Sequence, residues 1–392
     1  MRDDVAVLDP TTPVPDDGGL DDVYADDGDR GAPLPASHRA LVGAASGFLT
    51  VLGLAVLAVM PAPYTSSAPG PTFDTLGETA NGPLIEVQGE RTFASSGELR
   101  LTTVSFAGSR ERQLDLVTVL RGWVSPRITI DPVERFFPAP GDGTDRDAQS
   151  RQEMTTSQEN ATVAALTELG IEVPATINVV EPIEDTGAVG VLEPGDVIKG
   201  INGTEVLTYR DMSDALAAAD AGSTVTVTVL RDGAETELDV VSGERPDGSA
   251  LLGVWVDPDF DFPFDVTIQV DDVGGPSAGT MFALGLLDLL TPEDEAEGHV
   301  IAGSGTIDLD GAVGAISGVR QKMFGAVRDG ATSFLAPAGN CDAVVGNVPP
   351  GLEVFAVGTL AEARAAVEAI GAGDTARLPT CETWEPRGAD AR

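Results

Sequence analysis

Twenty consecutive residues without a charge, Leu41 to Met60, set the first limit on what this 392-residue chain can fold into. Fifteen of them are Ala, Val, Leu, Phe or Met. As a helix rising about 1.5 Å per residue, such a run crosses the hydrocarbon core of a bilayer, where only fully hydrogen-bonded backbone is tolerated. Arg30 and Arg39 precede it and no Lys or Arg follows until Arg91. The positive-inside bias therefore predicts a single-pass protein of the cell membrane, with its N-terminus cytoplasmic and the rest of the chain extracytoplasmic. A cleaved signal peptide is the alternative; the long lead and the length of the run both speak against it. Residues 1–40, with ten aspartates before position 37, read as a disordered, solvated tail.

The net charge of −40 argues against nucleic acid, and against anionic surfaces as partners of the chain as a whole. Only two histidines and two cysteines are present, too few for a zinc cluster, and a Ser-His-Asp triad would have only His38 and His299 to draw on. Neither lysine follows a glycine, so there is no Walker A loop and no ATP site is expected. The acidic run Asp142-Gly-Thr-Asp145-Arg-Asp147 lacks calcium-loop spacing and reads as a solvated loop. No metal or cofactor is expected.

Chemistry concentrates in Asp271-Asp272-Val273-Gly274-Gly275-Pro276-Ser277-Ala278-Gly279. The alternating residues 266–270 predict a strand leading in, and the apolar run 278–290 predicts a buried helix leading out, ended by Thr291-Pro292. Ser277 thus stands on a Gly-Gly-Pro turn at a helix N-terminus, where unpaired N–H groups and the positive end of the dipole converge. That geometry suits a nucleophile with an oxyanion site, a phosphate-binding turn, or a tight strand–helix junction.

Lysine usage narrows the search. Of 23 basic residues only Lys199 and Lys322 are lysine, and lysine, unlike arginine, becomes a base when burial lowers its pKa. Read as a helix, residues 318–327 place Lys322 on one apolar stripe with Val319, Met323, Ala326 and Val327. It is either a desolvated base or a lysine snorkelling beside the core. Lys199 reads as structural.

Gly275-Pro-Ser277-Ala-Gly279, followed by Ile301-Ala-Gly-Ser304-Gly through Gly318-Val-Arg-Gln-Lys322, resembles the proteolytic domain of Lon-type serine proteases. The resemblance implies that Ser277 is the nucleophile and Lys322 its general base. Gly275 and Pro276 then shape the turn, and Ser304 is the supporting hydroxyl where threonine is common. Gly274 stands where that family often has an aspartate. Residues 153–166 resemble the Met-x-x-Ser-x-x-Ala helix found early in such domains, so the protease fold is expected to begin near residue 80 and to resume after an insertion.

The insertion carries Gly195-Asp196-Val-Ile198 and Asn202-Gly203, then a helix at 209–219 and strands at 224–230 and 236–240. It resembles a PDZ domain, a module that takes an extended peptide between a sheet edge and a helix. The resemblance implies a groove along Thr176, Ile177, Asn178 and Val179 on one side and Met212 and Leu216 on the other. No carboxylate-binding loop is recognisable near residues 172–175.

The expected fold class is α+β, a Lon-type proteolytic domain with an inserted PDZ domain behind one transmembrane helix. The boundaries are a tail at 1–40, the membrane helix at 41–60, a Pro/Ser/Gly linker at 61–80 and the first part of the protease at 81–172. The PDZ domain follows at 173–245, the catalytic domain at 250–371 and a C-terminal tail at 372–392. Short strands are expected at 84–87, 99–106 and 116–120. Cys341 and Cys381 are either a disulfide, in keeping with an oxidising compartment, or two free thiols.

The function so implied is an ATP-independent, membrane-anchored serine endopeptidase. It would cut unfolded or flexible extracytoplasmic polypeptides, with the PDZ domain holding a peptide, and homo-oligomers are possible because Lon-type domains form rings. The rival is a catalytically silent PDZ-based scaffold.

Overall fold

The computed structural model describes residues 38–136, 142–245, 248–270 and 273–385. The tail at 1–37, Asp271, Asp272 and the last seven residues lie outside the described residues. The chain divides into two units, 1–57 and 58–392. The first contains helix α1, His38–Ala58. Its stretch Ala40–Ala58 has a mean hydropathy of 2.2, long and apolar enough to cross a membrane, which makes it a candidate span.

The second unit is built on two sheets. Its elements, in chain order, open with strands β1 (Pro61–Ala62), β2 (Tyr64–Asp74), β3 (Ile85–Gln88), β4 (Glu98–Ala107) and β5 (Leu114–Asp115). Then come helix α2 (Leu116–Val124), β6 (Thr129–Pro132) and the long helix α3 (Asp142–Glu168). The inserted module supplies β7 (Ala175–Pro182), β8 (Val197–Ile201), α4 (Tyr209–Ala217), β9 (Thr224–Arg231), β10 (Ala234–Val241) and β11 (Val254–Phe260). After it come β12 (Asp265–Ile268), α5 (Gly279–Leu290), β13 (Val300–Gly303), β14 (Thr306–Ile307), α6 (Val319–Arg328), β15 (Ser333–Pro337), α7 (Cys341–Val344), β16 (Glu353–Val357) and α8 (Leu360–Gly371).

The larger sheet runs β16-β15-β13-β4-β2-β6. Strands β4, β13, β15 and β16 are parallel, and β2 is antiparallel to both neighbours. Three of its strands precede the module and three follow it, so the sheet closes around the insertion. Helix α5 is buried over almost its whole length, sharing one core with Met154, Ala161 and Ala165 of α3 and with Ala363, Val367 and Ile370 of α8. A helix apolar on every side has to be central, as this one is.

Several sequence expectations need correction. Residues 61–80 are not a linker: β2 is an interior strand of the larger sheet. Its Thr65, Ser66 and Ser67 are buried, and the first two hydroxyls bond the carbonyls of Gly108 and Ala107. Gly70 is needed there because a side chain would strike Thr103, which is why the Gly-Pro pair sits in the register shift. Residues 116–120 are the first half of helix α2 rather than a strand. Asp115 caps it by accepting the Thr118 N–H at 2.9 Å, and this local bond overrides the β-branched composition. The run from Asp142 opens α3 instead of forming a loop.

The segment after α8 is not a loose tail. Ala356 N–H donates to Pro379 C=O, and Cys341 and Cys381 form a disulfide with Cα atoms 4.8 Å apart.

The smaller sheet runs β10-β9-β8-β7-β11, with Thr204–Glu205 paired beside β8. The module therefore does not end at residue 245; it reaches Phe260 by way of β11. The edge expected along Thr176–Val179 is absent, because β7 is paired with β8 on one side and β11 on the other. Ile177, Val179, Met212 and Leu216 are all buried in the module's core, so they line no groove. Only Thr176 and Asn178 of that set reach the surface.

Candidate active site

The site forms where α5 begins. Gly275 adopts φ +84°, the left-handed region that a side chain resists, and its N–H donates to the carbonyl of Ser150 on α3. The Pro276 carbonyl accepts the Ser157 hydroxyl at 3.0 Å. Two groups of α3 thus hold the turn that presents Ser277. Gly279 permits the close approach: a side chain there would meet Ser157 and Ile307 at 2.8 Å. On the far side, Gly305 N–H donates to the Ser277 carbonyl at 2.9 Å, and Thr280 N–H to the Gly305 carbonyl at 3.1 Å.

Lys322 arrives from α6. Gly318 caps that helix in a left-handed conformation, φ +70°, where a side chain would lie 2.7 Å from Val104. With the helix so fixed, Val319, Lys322, Met323 and Ala326 all turn inward and are buried. The Lys322 Nζ lies 2.7 Å from the Ser277 Oγ and 2.7 Å from the Ser304 Oγ. Ser304, at the end of β13, donates its hydroxyl to the Ser277 carbonyl at 2.7 Å. Among the described residues no carboxylate pairs with Lys322, and burial alone pulls its pKa from 10.5 down to about 7. A tenth of that fall would not matter; this one makes an amine that is substantially neutral near pH 7.

The structure therefore brings Ser277, Lys322, Ser304, Gly275 and Pro276 together. Ser150 and Ser157, which sequence reasoning did not single out, complete the support. Ser157 was within reach, since it is the serine of the Met-x-x-Ser helix pattern; Ser150 acts through its carbonyl and leaves no side-chain signal.

The module's free edge is β11, which among the described residues pairs with no strand on its outer side. Asp261 N–H bonds the Pro174 carbonyl and Ile183 N–H bonds the Gly253 carbonyl. By antiparallel alternation, Val254, Val256 and Phe260 turn their amides to the open edge, with Pro258 between. Leu252 lies in one buried cluster with Met212 and Leu216 of α4, and Val254 and Val256 pack against that cluster. The module also shares a pocket with the rest of the unit, lined by Leu207 and Tyr209 on one side and Val163 and Leu309 on the other. Tyr209, at the start of α4, is pushed up to about 12 by burial and by Asp310 and Asp308, in the turn after β14.

Comparison with known proteins gives these parts a class. The Lon protease (S16) C-terminal proteolytic domain matches residues 264–363, and the PDZ domain matches residues 153–241. The chain carries a Lon-type proteolytic domain and a PDZ domain. Among relatives, Lon protease 1 of Bacillus subtilis is 33% identical over 116 residues, 29% of this chain and 14% of that protein. A probable periplasmic serine endoprotease, DegP-like, of Pseudomonas putida is 32% identical over 85 residues, 21% of this chain and 18% of that protein. The chain thus spans less than a fifth of the length of either relative. The PDZ domain of an SdrC-like protein of Listeria monocytogenes is 21% identical, covering 21% of this chain and 86% of that one, with a TM-score of 0.20. The PDZ match stops at Val241, short of β11, and it starts inside α3, whose Met154, Ala161 and Ala165 belong to the catalytic core.

Proposed function

We propose that the chain is an ATP-independent serine endopeptidase, anchored in the membrane by α1, that cuts unfolded or flexible segments on the extracytoplasmic side. The observation that carries the reading is a buried lysine, with no carboxylate partner among the described residues, 2.7 Å from the serine of a Pro-Ser-Ala-Gly turn.

The hydrogen bonds at the site support a proton path for this reaction. The Ser304 hydroxyl donates its one proton to the Ser277 carbonyl, so towards Lys322 it can only accept. That engages one N–H of the amine. In the neutral form the lone pair is then available to Ser277, whose O–H donates to it. As Oγ attacks a peptide carbonyl, the proton passes to Nζ; the resulting ammonium gives it to the leaving amine, and water clears the acyl-enzyme. Backbone N–H groups at the start of α5 would hold the oxyanion, a contribution of about 3 kcal/mol per donor in comparable sites.

Substrate delivery falls to β11. A peptide adding as a strand would bond the amides of Val254 and Val256, and Pro258, lacking an N–H, limits how far the ladder runs.

The test is to incubate the full chain, in detergent micelles and without nucleotide, with a permanently unfolded protein. Cleavage by the wild type and none by Ser277→Ala or Lys322→Arg is the expected outcome. A wild type that leaves the substrate intact, or a Ser277→Ala that cuts it, overturns the proposal.

A further inference from the structure

Helix α2 has an apolar stripe on its wrong side. Val119 and Gly122 face inward, and Gly122 lies so close to Ile130 of β6 that a side chain there would overlap it. A surface helix should be polar on its other face. Instead Leu120, Trp123 and Val124, spaced i, i+3, i+4, are 49%, 58% and 84% exposed. Trp123 packs edge-on against Tyr64, with centroids 5.9 Å apart, and Phe106, 56% exposed, stacks at 5.3 Å on Phe136. Tyr64 opens β2, Phe106 lies near the end of β4, and Phe136 follows β6. Since β2 is antiparallel to both, all these aromatic rings gather at one end of the larger sheet.

That end also holds the first residues of the second unit. The N–H of Leu116, the first residue of α2, donates to the carbonyl of Met60, two residues after α1 ends, and β1 pairs with β5 immediately before α2. The covalent tether therefore keeps α2 within a few residues' reach of the point at which the span leaves the bilayer. The local charge also departs from the whole. Residues 106–127 hold four arginines, Arg110, Arg112, Arg121 and Arg127, against Glu111 and Asp115, a balance of +2 in a chain of −40.

We infer that this face, Leu120, Trp123, Val124 and Phe106, with arginines close by in the sequence, rests in the headgroup region of the bilayer that α1 crosses. Tryptophan and tyrosine favour that depth, and arginine complements anionic headgroups there. The inference rests on the reading of α1 as a membrane span. One consequence concerns the reaction. Thr102, whose hydroxyl bonds the Gly303 carbonyl beside Ser304, is four residues from Phe106 on β4, or roughly 13 Å of strand. The dyad would then work close to the membrane surface, on segments near the bilayer.

Tryptophan fluorescence tests this on the full chain reconstituted in phosphatidylcholine–phosphatidylglycerol vesicles. The chain has three tryptophans, so Trp255→Phe with Trp384→Phe leaves Trp123 as the only one, and Trp123→Phe with Trp384→Phe leaves Trp255. With acyl chains brominated near the headgroup, Trp123 emission should drop at least about twofold more than Trp255 emission, as expected for an interfacial ring. A chain that floats with the vesicles while Trp123 stays unquenched by lipid and open to acrylamide overturns the inference and leaves the anchor standing. Trp123 shielded from lipid and acrylamide alike assigns the face to a protein neighbour, and equally overturns it. A chain that does not float removes the anchor and the inference together.

Discussion

At the scale of single residues, Lys322 is held against its own stability. The unfolded chain keeps this amine near 10.5, whereas burial holds it near 7 in the fold. Between these values the unfolded state binds the extra proton. The penalty is therefore complete below about pH 7 and fades as the pH climbs towards 10.5. Lys322→Met, similar in shape and uncharged, should raise the unfolding free energy at pH 7 by a few kcal/mol, and the gain should shrink as pH approaches 10.5. Denaturant titrations at pH 7 and pH 10 check both parts. The burial of Lys322 was legible in the sequence, because Val319, Met323 and Ala326 share its helix face; its pairing with Ser277 came from the resemblance to Lon-type domains, since lysine scarcity alone did not separate it from Lys199. The supporting carbonyl of Ser150 was not legible, because any residue has one.

At the scale of elements, the inserted module shows where sequence reading fails and why. Residues 176–179 alternate as an edge strand would, and the fold buries them between two neighbours. The true edge, β11, also alternates, but Asp257, Pro258 and Asp259 make it look like a loop. A proline inside an alternating run marks an edge strand, and that signal was available. Strand β2 was hidden for a different reason: it is interior despite Pro69 and Pro71, which sit at its register shift, and its buried hydroxyls bond to backbone and so tolerate a composition typical of linkers. Hydrogen exchange on the Ser277→Ala chain tests the reassignment. The amides of Val254 and Val256 should exchange rapidly alone and slow on adding an unfolded polypeptide, while Asp257 and Asp259 should be protected throughout. Slowing confined to residues 176–179 would restore the original groove.

At the scale of the whole molecule, the catalytic unit is assembled from both sides of the insertion, and its last segment is tied back by the Cys341–Cys381 disulfide. That bond closes a loop of 40 residues, which in the chain-entropy view stabilises the fold by about 4 kcal/mol. Reductant should lower the thermal midpoint of the full chain by several degrees, and Cys341→Ser should reproduce the shift. An unchanged midpoint would mean the bridge constrains nothing. Tyr209 of the module and Leu309, in the turn after β14, line one pocket, so the module lies beside the segment that follows Gly305, whose N–H steadies the Ser277 carbonyl.

If a neutral, buried Lys322 activates Ser277, the pH dependence of kcat/KM on an unfolded substrate has to carry the titration of that amine. Because the base acts only when unprotonated, activity should rise tenfold per unit below about pH 7 and level off above it. Lys322→Arg should lose the activity while keeping its circular dichroism spectrum. A profile flat from pH 5 to 9, or an arginine variant that still cleaves, would contradict the claim.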